Sequence, residues 1–317
     1  MSSVEIVVPH ELDRWRADKV LAVTLNVSRS VSRGIIDTGG ATVGDSVIGP
    51  ADKMQAGTVI VAELHEPAHD LVPDPDVSFD VVHEDDSLIV VDKPAGVVVH
   101  PGSGRGTGTL VHGLIARYPE IVGVGQKERW GIVHRLDKDT SGLLMVARTQ
   151  ETYESLILML KAHDVSRRYI GVVQGVFTNT IGTIEAPIGR DPANPTRMHI
   201  DRSGRSARTN YRRLATWANH DATLLSIALE TGRTHQIRVH MRSVGHPIVG
   251  DRVYGRHGVV GDPGRPWLHA RQLAFAHPST GEPMDLISSL PADLCDSLTS
   301  LGEPGGGPAT DIQGELL

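Results

Sequence analysis

Apolar residues along the chain fall into two patterns. Short alternating or continuous apolar runs at 79–83, 87–91, 169–173, 182–185, 206–214, 223–230 and 271–275 have the length and spacing of strands. The first two close as a hairpin around Glu84-Asp85-Asp86. Helical spacing is confined to a few places: 109–117, 151–162 and a polar segment in which Ile237 and Met241 stand one turn apart. Many strands and few helices predict an α+β fold built on a mixed, largely antiparallel sheet.

The front of the chain has a different order. Residues 15–22 read as a helix, 28–36 as a second helix with Ser28 as its N-cap, Gly39-Gly40 as a turn into a strand, and 57–62 as another strand. A Pro- and acid-rich stretch without periodicity follows. The pattern divides into a small α/β unit at 1–65, an extended linker at 66–78, a large unit at 79–303, and a Gly/Pro-rich disordered tail at 304–317.

Two polar segments interrupt the large unit. In the first, apolar runs at 132–133 and 143–146 read as short buried strands flanking a loop that carries Arg135, Asp137 and Asp139. Such charges are costly to bury unless they pair. In the second, an apolar strand runs into Thr231-Gly232 and then into a helix start, which sets Arg238 beside the apolar face of Ile237 and Met241. A guanidinium placed there needs a carboxylate, and an Asp of the first segment can supply it.

Composition limits the chemistry. The net charge is −7 and the pI is near 6.1, which taken alone argues against a polyanionic partner. The distribution argues otherwise: residues 190–256 contain twelve Arg, no Lys and five acidic residues, a bias suited to bidentate phosphate contacts. A single cysteine, Cys295, excludes an internal disulfide. The sixteen His follow no HExxH or Cys/His spacing, so no metal is expected. With no apolar run of spanning length and no signal-peptide pattern, a soluble cytoplasmic protein is expected.

Five motifs then acquire meaning together: DKPAGVVVHPG (92–102), HRLDKDTSG (134–142), RRYIGVVQG (167–175), TGRTHQIRVH (231–240) and WLHARQLAFAHP (267–278). In this order they resemble the RluA/RluD-type RNA pseudouridine synthases over roughly residues 79 to 292. The front unit looks like the ribosomal-protein-type RNA-binding module often placed ahead of such enzymes. The resemblance implies an α+β catalytic domain with a central cleft. It also implies RNA as partner, 23S ribosomal RNA first and transfer RNA second, with no cofactor and no membrane. A monomer is expected.

The same resemblance assigns roles. Asp137 acts on the ribose, either as nucleophile at the anomeric carbon or as base at the neighbouring carbon, and the sequence leaves both routes open. Arg238 pairs with that carboxylate, and Tyr169 lies over the uracil with its hydroxyl in the proton path. Arg135 takes the place of the flipped base, Leu268 forms an apolar wall, and Arg233 contacts RNA. Lys93 and His100 shape the site, and Asp139 caps the turn through the Thr140 and Ser141 amides. Arg29, Arg33 and Lys53 are the RNA contacts expected of the front module, although residues 1–65 hold eight acidic against six basic side chains. Ala17 and Trp130 depart from the leucine and proline usual in the family, which leaves target choice open. A metal enzyme and an inactive RNA-binding factor are the competing readings.

Overall fold

The computed structural model describes residues 2–25, 27, 29–64, 71–101, 107–256 and 258–305. Ser28, the Arg29 side chain, residues 66–70, Gly102 and the tail from 306 onward lie outside the described residues. The chain forms two compact units, divided between Asp70 and Leu71.

The first unit contains β1 (Ser2–Val7), β2 (Trp15–Arg16), α1 (Ala17–Thr24), α2 (Arg29–Asp37), β3 (Ala41–Val43), β4 (Ser46–Val47), β5 (Lys53–Met54) and β6 (Val59–Leu64). Its main sheet has the order β1-β6-β3-β4. Val20, Leu21, Ile36 and Ile60 form the core with Ile6 and Val8. The expected helix at 15–22 begins only at Ala17, because Trp15 and Arg16 pair with Met54 and Lys53. Strand β1 was not foreseen, although Val4, Ile6 and Val8 alternate in burial as a half-buried strand should. The Ser32 hydroxyl donates to the Asp18 carbonyl at 2.7 Å, tying α2 to α1.

The second unit begins with β7 (Asp80–Glu84), β8 (Leu88–Lys93), α3 (Leu110–Arg117), β9 (Ser141–Ala147), α4 (Gln150–Ala162), β10 (Ser166–Gln174) and β11 (Ile181–Glu185). It continues with β12 (Ile188–Arg190), β13 (Met198–Ile200), β14 (Arg208–Trp217), β15 (Ala222–Leu229), α5 (Gln236–Ser243), β16 (Leu268–Ala276), β17 (Pro283–Ile287) and α6 (Ala292–Leu301). The large sheet runs β11-β14-β15-β10-β16-β9-β8-β7, with β17 on β16. Among its described pairings only β9 with β16 is parallel, so the α+β class with a largely antiparallel sheet is what the chain adopts.

Both faces of the central strands are covered, which explains their continuous apolar runs. Leu88, Val90, Leu143 and Met145 pack on one face with Leu156 of α4. Ile89, Val91, Leu144 and Val146 pack on the other with Leu110 and Leu114 of α3. The strand expected at 132–133 is absent: Ile132 makes a single bridge to Val146, since the chain must turn away at once to form the polar loop. The extended linker is divided too. Its described part is packed, with Leu71 against the core and the Asp74 amide donating to the His112 carbonyl at 3.0 Å.

One glycine is fixed by the parallel pairing. Gly142 has φ +114°, and a Cβ there would overlap the Ala270 carbonyl of β16. Gly142→Ala is therefore expected to unfold the loop-to-strand junction, seen as loss of soluble protein or a fall in stability of about 3 kcal/mol or more in urea titration. Among the described residues no helix is long and apolar enough to cross a membrane.

Candidate active site

The polar loop ahead of β9 and the turn ahead of α5 come together across the sheet. Between them lies a cleft of about 740 Å³. Its lining includes His100, Arg135, Asp137, Tyr169, Arg233, Arg238 and Leu268, residues that are far apart in sequence. Arg33 and Lys53 are exposed on the other unit.

Asp137 is held from two sides. Its backbone carbonyl accepts the Thr140 amide at 3.2 Å and closes the turn. That replaces the capping expected of Asp139, whose side chain makes no hydrogen bond among the described residues. The next peptide is pinned as well: the Lys138 carbonyl accepts from Lys93 Nζ at 3.0 Å and from the Gly96 amide at 2.9 Å. Lys93 is fully buried and also donates to the Pro94 and Val97 carbonyls. Its three donors thus staple the 94–97 loop to the Asp137 turn. Burial pushes its pKa down to about 7, against the pull of Asp139 and Asp137.

Arg238 Nη1 donates to Asp137 Oδ2 at 3.1 Å. Its other edge is taken by Asp251: Nε donates to Oδ2 at 2.7 Å and Nη2 to Oδ1 at 2.9 Å. The guanidinium also lies over the Tyr254 ring, 5.0 Å from its centroid. Asp251 is 1% exposed and accepts the Val253 and Tyr254 amides as well. Burial alone would raise its carboxyl pKa, but the Arg238 bonds hold it below the usual range. This clamp leaves Arg238 one free edge, aimed at Asp137. Sequence reasoning missed Asp251 and Tyr254, and nothing in the local pattern of Gly250-Asp251-Arg252 marks the first as a partner of α5.

Tyr169 on β10 is 7% exposed, and its hydroxyl makes no hydrogen bond among the described residues. Burial pushes its pKa up to about 12 against the pull of Arg167, so the phenol is neutral at ordinary pH. Exposed Arg135 stands beside His100, whose Nε2 is 3.5 Å from Arg135 Nη1. Gln236 holds the α5 turn by accepting the Arg233 amide at 3.0 Å and donating to the Arg208 carbonyl at 3.0 Å. Arg233 Nε donates to the Ser206 carbonyl at 2.9 Å.

Two histidines, half-buried His134 and buried His269, support the loop in neutral form. His134 Nε2 accepts the Met145 amide at 3.0 Å, and burial pushes its pKa down to about 3. His269, 1% exposed between the Ser141 and Ser288 hydroxyls, is pushed down to about 4, again by burial. In the unfolded chain both take protons near pH 6.5, so stability is full above that pH and is lost as pH falls toward 4. The urea midpoint should drop over that window by an amount worth about 1.4 kcal/mol per pH unit for each histidine. A flat midpoint would contradict the neutral assignment.

Among the described residues one group could hold a metal ion: His83 and His277 both place Nε2 on Asp85 Oδ2, at 2.6 and 3.0 Å. His277 Nδ1 accepts the Ser279 and Thr280 amides. That fixes its proton on Nε2, donating to Asp85. The cluster is a hydrogen-bonded staple between the β7–β8 hairpin and the β16–β17 turn, with a tautomer unsuited to metal ligation.

A sequence model of the RNA pseudouridylate synthase family matches residues 87–243. The chain is 41% identical over 307 residues to an uncharacterized RNA pseudouridine synthase of Bacillus subtilis, covering 96% of this chain and all of that one. It is 42% identical over 300 residues to the ribosomal large subunit pseudouridine synthase D of Pseudomonas aeruginosa, covering 90% and 92% of the two. Among solved structures, the human RNA pseudouridylate synthase domain containing 1 is 27% identical and superposes with a TM-score of 0.58, covering 77% of this chain and 97% of that one. The chain belongs to the RNA pseudouridylate synthases, isomerases that act on uridine in RNA.

Proposed function

We propose that this enzyme isomerises uridine in large-subunit ribosomal RNA, with Asp137 acting on the ribose of a flipped-out nucleotide. The observation that carries the reading is the Asp137–Arg238 pair in a cleft lined, among the described residues, by six Lys and Arg but only two acidic residues. A locally basic cleft binds phosphate even on a chain of net charge −7.

Asp137 either attacks C1′, expelling the uracil as an anion, or removes a proton from C2′ to give a glycal. In both routes the N1–C1′ bond breaks and the base turns; C5 then bonds to C1′ as the Asp137 ester bond breaks in the first route, or as C2′ regains its proton in the second, and the C5 proton leaves while N1 gains one. Arg238, clamped by Asp251, keeps the carboxylate fixed against the sugar. Tyr169 stacks on the base and, as a neutral phenol, relays rather than abstracts the proton. Arg135 fills the space of the flipped base, Leu268 backs the ring, and Arg233 contacts the strand.

The front unit, 1–65, serves as an RNA-binding module through Arg29, Arg33 and Lys53, joined by the 66–78 segment to a catalytic domain at 79–303. Exposed Arg33 is already 3.4 Å from Asp37, so its contribution is small. The relatives named as large-subunit synthases favour 23S RNA over transfer RNA, and the enzyme works as a cytoplasmic monomer.

Chemical mapping of pseudouridines in total RNA, from cells without the gene and complemented with wild type or Asp137→Asn, tests this. A 23S site that vanishes and returns only with wild type supports the reading. A site in transfer RNA reassigns the substrate, and no changed site removes the reading in favour of an RNA-binding factor.

A further inference from the structure

We propose that Arg167 is a phosphate-binding residue, one that takes the phosphodiester next to the reacting uridine; this rests on the RNA-modifying reading of the same cleft. Arg167 stands two residues before Tyr169, on the same face of β10. It lines the cleft and is 8% exposed.

Its charge has no counter-ion among the described residues. Among the described residues the cleft has two carboxylates, and both are committed elsewhere: Asp137 to Arg238 at 3.1 Å, and Glu230 to Arg208 Nε at 3.1 Å and Asn210 Nδ2 at 2.8 Å. Arg167 reaches only the Glu230 backbone, Nη2 donating to the carbonyl at 3.0 Å, while its buried Nε has no partner. A neutral side chain would serve such a tether. Nη1 faces Gly232, where a Cβ would stand 2.9 Å away, so the glycine leaves that end of the guanidinium uncovered.

A cation kept out of water without a partner is costly. A ligand that brings the missing charge recovers that cost on binding. In RNA only the phosphodiester carries a full negative charge; uracil carbonyls and ribose hydroxyls offer dipoles. The fork of a guanidinium matches two phosphate oxygens. Arg129 and Arg233 in the same lining give the rest of the backbone a basic track.

The test uses short RNAs spanning the mapped uridine, with single linkages replaced one at a time by neutral methylphosphonate. Wild type, Arg167→Gln and Arg167→Lys are compared for Kd, KM and kcat. For wild type, one replacement beside the uridine is expected to weaken binding about tenfold. Arg167→Gln should lose about tenfold on normal RNA and nothing further at that linkage, with kcat at saturation changed less than about threefold. The slope of log affinity against log salt should fall by about 0.7, and Arg167→Lys should restore most of it. The proposal is overturned if no linkage near the uridine matters to wild type, if Arg167→Gln and wild type lose equally at every linkage, or if kcat collapses while the salt slope stays unchanged. Failure of wild type to form pseudouridine in any RNA would instead bring down the parent reading, and this one with it.

Discussion

Asp137→Asn is expected to abolish pseudouridine formation, by on the order of 10⁴-fold or more in kcat, while the protein stays folded and still binds RNA. The amide matches the carboxylate in shape but can neither attack C1′ nor accept the C2′ proton. Folding should survive because Arg238 keeps its stronger, bidentate partner: Asp251 holds Nε at 2.7 Å and Nη2 at 2.9 Å, whereas Asp137 takes one bond at 3.1 Å. The turn itself is closed by backbone at Asp137 and Lys138, which the substitution leaves intact. Single-turnover assays with separate binding measurements check this. Substantial residual turnover would show that another group performs the ribose chemistry.

The second large effect is expected at a residue that does not touch the ribose. Asp251→Ala removes both bonds from one edge of Arg238 and leaves the guanidinium buried with Asp137 as its remaining carboxylate among the described residues. It also frees the Val253 and Tyr254 amides. Breaking a buried pair from one side costs about 3–5 kcal/mol, and Arg238 then has no reason to point at Asp137. Turnover should fall about 100-fold or more, with a smaller change in RNA affinity. Asp251→Ala combined with Arg238→Met should regain much of the stability but none of the activity, because the uncompensated charge is gone while the carboxylate is still unaimed. Equilibrium denaturation beside kcat separates the two effects. If the double variant regains activity, Arg238 is dispensable.

The reaction class was legible. Asp137, Tyr169 and Arg238 stand in short motifs whose residue types and order narrow the reaction class, and the helix of α5 follows from the spacing of Ile237 and Met241. The central strands could be read because β8, β9 and β15 are apolar along their length. Less legible were elements whose stability comes from a distant partner. Trp15 and Arg16 carry a helical pattern and form a strand because Met54 and Lys53 are there to pair with them. Residues 132–133 are apolar enough for a strand and form one bridge. Leu71 follows an acidic, Pro-rich stretch and packs into the core.

By itself, then, the sequence determined the strand-rich fold class and the kinds of side chain that meet in the cleft. Periodicity and residue chemistry are local properties and can be read locally. Tertiary structure alone decided that Arg238 is shared between Asp137 and Asp251, that Lys93 staples two loops, and that Arg167 has no counter-ion among the described residues. Each depends on which groups, 13 to 101 residues apart in the chain, meet or fail to meet, and on how far burial withdraws them from water.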